Sequence, residues 1–92
     1  MDIFGKVVEK IISEQEKIIG PIALEQARKV QGLSVDMQKQ EVKFVGNEKQ
    51  IIESLIDQYK HLFGQASVEV CKDAARAIIS QMPKDQVPSQ LQ

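Results

Sequence analysis

The chain has 92 residues, 42% of them hydrophobic and 27% charged, with a formal net charge of −1. That length supports one domain, because two cores could not both bury enough surface, and the composition excludes disorder over most of the chain. Balanced, interspersed charge argues against a dedicated nucleic-acid or anionic-membrane surface, and the single cysteine excludes an internal disulfide.

The N-terminal stretch Met1-Asp2-Ile3-Phe4-Gly5-Lys6 has no basic region followed by an unbroken apolar core, so no leader segment is predicted. No apolar run approaches the roughly 20 residues that span a bilayer. With one cysteine, these features predict a soluble cytoplasmic protein. Ile3, Phe4, Val7, Val8, Ile11, Ile12, Ile18 and Ile19 then recur at helical spacing, and Asp2 is placed to cap the first turn. This stripe is two residues wide on most turns, broader than one helix contact requires. Gln15 interrupts it and is expected at a partly exposed edge. Gly20-Pro21 ends this helix and starts the next.

The second helix is predicted from Pro21 to about Gln31, with Ala23, Leu24, Ala27 and Val30 inward and Glu25 paired with Lys29 outside. From Leu33 the period changes to two. Val42, Phe44 and Val45 argue for a strand, and Leu33, Val35 and Met37 for a second strand or a loop, with Gln38-Lys39-Gln40 as the turn. No Asn-Gly or Asp-Gly marks a tight hairpin there.

Asn47 is a predicted N-cap, followed by Ile51, Ile52, Leu55, Ile56, Tyr59, Leu62 and Phe63 at helical spacing, and Gly64 closes that helix. A fourth helix is predicted from about Ser67, a candidate cap, to Met82, with Val68, Cys71, Ala74, Ala75, Ile78 and Ile79 inward. Pro83 stops it. Residues 83–92 are expected to be a flexible polar tail after a compact helical domain of residues 1–82. The fold class is therefore mainly α (α+β), in the order α-α-(β)-β-α-α.

Chemistry-bearing constellations are sparse. His61, the only histidine, lacks the additional ligands a metal needs and is expected to be a surface residue near Asp57. Cys71 is expected to be a buried small hydrophobe. Glu69, Asp73, Lys72 and Arg76 read as a solvated helix face. Phosphate-binding and nucleophile motifs are absent, so no catalytic, metal or cofactor site is predicted. Residues 47–82 resemble a helix-turn-helix in outline, which leaves a small nucleic-acid-associated regulator as the alternative function.

The wide first stripe and the lone strand region both suggest self-association. An unpaired strand leaves an exposed edge, which antiparallel pairing across a two-fold axis would satisfy. The predicted function is a small self-associating interaction or regulatory module without a membrane partner, a homodimer or higher homo-oligomer. Phe4, Val8, Ile11, Val42 and Phe44 are its expected contact residues. On that reading Phe44→Asp or Ile11→Asp would drive the protein toward monomer or unfolded chain.

Overall fold

Asp2 starts the first helix as expected: its Oδ1 accepts the Gly5 N–H at 2.8 Å, and helix α1 runs Ile3–Ile19. The computed structural model describes residues 2–92. Helix α2, Ile22–Ala27, is shorter than predicted. Beyond Ala27 the chain tightens, with the Lys29 and Val30 N–H groups donating to Gln26 and Ala27 carbonyls three residues back. That turn buries Val30 and carries Lys29 off the helix, so the Glu25–Lys29 pair does not form.

Strands β1, Leu33–Asp36, and β2, Glu41–Phe44, pair antiparallel in one hairpin. Leu33 faces Phe44, Ser34 faces Lys43, Val35 faces Val42 and Asp36 faces Glu41. The first stretch is thus strand rather than loop. Its four-residue loop, Met37 to Gln40, needs no Asn-Gly. Asp36 Oδ1 accepts the Lys39 N–H at 3.1 Å, and Gln40 takes the left-handed conformation at φ 54. Gly32 enters the hairpin at φ 86, and a Cβ there would lie 2.6 Å from the Val45 carbonyl oxygen.

Helix α3, Glu48–Phe63, is capped by Asn47, whose Oδ1 accepts the Gln50 N–H at 2.9 Å. Gly64 then separates it from helix α4, Gln65–Ile79. Ser67 lies inside the first turn of α4 instead of capping it, and its hydroxyl donates to the Gly64 carbonyl at 2.8 Å. The element order is α-α-β-β-α-α, as the periodicities predict.

Helix α1 is the hub of this arrangement. It packs against α4, α2, α3 and β2, so Val7, Val8, Ile11 and Ile12 are fully buried within one chain. The spare face expected along this helix is largely used up: three neighbouring helices and the hairpin divide the wide stripe between them, and of its residues only Ile18 stays exposed. Gln15 is likewise not at an edge. It is 1% exposed and sits in the seam with α4, its Nε2 donating to the Ser67 carbonyl at 3.0 Å and approaching Cys71 Sγ at 3.4 Å.

The last ten residues do not hang free. Two 3-10 turns, Lys84–Gln86 and Ser89–Leu91, bring Val87, Pro88 and Leu91 into buried positions against α4 and α3. Polar groups follow. The Ser89 N–H donates to Glu53 Oε2 at 3.3 Å, and Gln90 Nε2 to the Glu53 carbonyl at 3.3 Å and to Asp57 Oδ1 at 3.0 Å. The two prolines restrict the unfolded chain and reduce the entropy lost in ordering this segment. Among the described residues no helix is long and apolar enough to cross a membrane.

Candidate functional site

Both strands of this two-stranded hairpin are edges; on β1 the outward Leu33 N–H is taken up by the Val30 carbonyl at 3.2 Å, whereas β2 keeps its outward row free among the described residues. In an antiparallel ladder, opposed residues alternate between exchanging both hydrogen bonds and exchanging none. The Val45 N–H donates to the Gly32 carbonyl at 2.7 Å, which marks that couple as bonded. Counting along the register, Ser34–Lys43 and Asp36–Glu41 are bonded couples, whereas Leu33–Phe44 and Val35–Val42 are not. The N–H and C=O groups of Val42 and Phe44 therefore point away from β1, along the outer edge of β2. Among the described residues neither N–H donates to another element.

An open cleft of about 480 Å³ follows this edge, lined by Val42, Lys43, Phe44, Val45 and Gly46 together with Asp2 and Glu48. Val45 is 82% exposed, the most exposed large hydrophobic side chain described. Val42 and Phe44 are half-buried, with their side chains packed on the core while Glu41 and Lys43 face solvent. The Glu48 carboxyl is held above its ordinary value of 4.5, first by lost hydration and then by the negative charge of Asp2 beside it. The cleft thus combines free backbone donors and acceptors, an apolar strip and an acidic corner.

Of the five residues expected to mediate self-association, the structure places two in this region. Val42 and Phe44 lie on the edge itself, whereas Phe4 is half-buried against the core at the start of α1 and does not line the cleft. Val8 and Ile11 are withdrawn from any surface. Val45, Asp2 and Glu48 belong to the cleft without having been expected there; the signal for Val45 was its break from the alternation, next to Gly46.

Further exposed apolar side chains lie near helix ends. Ile18 is 64% exposed, and Ile22, Leu62 and Phe63 are exposed too. Nearby, the Tyr59 hydroxyl bond to the Ala23 carbonyl, at 2.7 Å, ties α3 to α2, and the Gln15–Ser67 bond ties α1 to α4.

The titratable candidates are not assembled into a reactive group. His61 is exposed, and Asp57 is engaged by Gln90 instead of by the imidazole. Cys71 is buried beside Gln15, and burial raises its thiol to about 11. At neutral pH it is a neutral thiol, not a nucleophilic thiolate. On the exposed side of α4, Arg76 Nη2 lies 2.7 Å from Asp73 Oδ1. Among the described residues no group of three or more His, Cys, Asp or Glu side chains could hold a metal. Compared with protein families, curated proteins and solved structures, the chain matches none.

Proposed function

We propose that this chain is a small self-associating interaction module, cytoplasmic and regulatory rather than catalytic, that joins a second copy of itself along the outer edge of β2. The observation carrying this reading is the row of outward N–H and C=O groups on Val42 and Phe44, left without a strand beside them. A strand edge of this kind takes up extended chain by completing its hydrogen bonds. A second copy is the occupant the edge suits, since an edge strand pairs with its own image antiparallel across a two-fold axis. The four-residue length of β2 makes the contact small, so the association is weak and concentration-dependent.

Val42→Pro tests the reading. The Val42 N–H is not used in the hairpin, so proline deletes an edge donor without removing a β1–β2 bond. Sedimentation equilibrium should show mass rising with concentration for the native chain and a constant monomer mass for the variant. Circular dichroism is expected to show helix content retained in both. A native chain that stays monomeric throughout, or a folded Val42→Pro protein that associates as well as the native one, overturns the proposal.

A further inference from the structure

The edge also specifies how two copies would be aligned, and with it the residue that limits their affinity. This inference rests on the self-association reading. Three antiparallel registers bring outward-facing residues opposite one another within the strand. In the one centred on Phe44 only the two Phe44 residues exchange hydrogen bonds there, and Val42 opposes Gly46 beyond the strand. With the two-fold axis at Val42, the two Val42 residues exchange hydrogen bonds, Glu41 opposes Lys43 of the second copy, and Phe44 opposes Gln40 in the turn. With the axis at Lys43, Val42 of each copy opposes Phe44 of the other. All four outward residues then form bonded couples, while the two Lys43 side chains meet on the solvent face.

Magnitudes decide among them. The Lys43-centred register gains two more strand hydrogen bonds, together worth about 30-fold in association constant. Its two Val42–Phe44 cross-strand pairs add roughly several-fold more. The Val42-centred register avoids one like-charge pair and gains two opposite-charge pairs. These side chains are exposed, so each such pair is worth only about two-fold. In the Lys43-centred register, moreover, Glu41 of each copy stands diagonal to Lys43 of the other, which offsets part of the repulsion.

We infer that Lys43 lies on the two-fold axis of the pair and acts as a charge brake on assembly, so that loss of its charge tightens the dimer. Charged residues on edge strands restrain pairing in this way. The brake is graded, because salt screens the two ammonium groups. Neutralising Lys43, by mutation or by acylation of its amine, releases it.

Lys43→Thr and Lys43→Glu, measured by sedimentation equilibrium beside the native chain, test this. Threonine keeps strand propensity and removes the charge. The dimer constant should strengthen by about two- to five-fold in Lys43→Thr, the size of the relieved like-charge pair. An equimolar mixture of Lys43→Glu with native chain should form the mixed dimer in preference to either homodimer, because glutamate then faces lysine across the axis. If Lys43→Thr weakens a dimer that the native chain forms, or if the mixed dimer shows no preference, the Lys43-centred alignment is overturned while edge association stands. If neither the native chain nor Lys43→Thr associates, both the alignment and the self-association reading fall.

Discussion

Tyr59 and Cys71 show how a few buried polar atoms tie the helices together. The Tyr59 hydroxyl donates to the Ala23 carbonyl at 2.7 Å from a fully buried position. Removing it in Tyr59→Phe should cost about 1–2 kcal/mol, read as a lower urea midpoint with unchanged slope. Burial raises both the phenol and the thiol above their ordinary values of 10.0 and 9.0, the thiol to about 11. Once the pH passes the unfolded-state values, the unfolded chain loses these protons and the folded chain keeps them. Stability is therefore full below about pH 9 and declines above it, first through Cys71 and then through Tyr59. Urea titrations from pH 7 to pH 11 should show this decline. Cys71→Ala should flatten its onset, and a native chain equally stable at both pH values would contradict the assignment. Gln15 belongs to the same seam, and its burial was not legible in the sequence. A glutamine interrupting an apolar stripe is an edge residue or a buried one according to what the facing helix offers, here the Ser67 carbonyl and the Cys71 sulfur.

At the scale of elements, local chemistry was readable and tertiary use was not. Asp2 and Asn47 cap α1 and α3 through their own side-chain oxygens, a device contained within four residues of chain. The period-two stretch likewise shows in the sequence as alternating Leu33, Val35, Val42 and Phe44. Which backbone groups of β2 face outward depends on the register, which only the folded hairpin supplies. The second helix ended early because Val30 had to turn inward, and the tail docked because Val87 and Leu91, four residues apart among polar neighbours, reach a groove formed by two other helices. Gly20 and Gly32 both have positive φ, but only at Gly32 would a Cβ meet a backbone atom, 2.6 Å from the Val45 oxygen. Both alanine variants should lose about 1 kcal/mol to the strained conformation, and Gly32→Ala should lose more, with the hairpin amides exchanging fastest. Leu91→Ala should lower stability by about 2–3 kcal/mol in thermal or urea melts, as for a buried leucine. A change near zero would show that the docked tail contributes nothing.

The whole molecule hides its own core. A broad stripe on α1 looked like surplus apolar surface in the sequence, yet Val8 and Ile11 are consumed inside one chain by the helices around them. Ile11→Asp is thus expected to unfold the protein outright, whereas Phe44→Asp acts at the edge and on the half-buried face of β2. At the hairpin, what a single copy leaves unsatisfied is backbone: the outer groups of Val42 and Phe44, beside an exposed Val45. Amide hydrogen exchange resolved by residue, recorded on dilute and concentrated samples, tests that claim most directly. The Val42 and Phe44 amides should exchange rapidly in dilute solution and become protected as concentration rises, while Lys43, bonded within the hairpin, stays protected throughout. Equal, rapid exchange of Val42 and Phe44 at every concentration would contradict it.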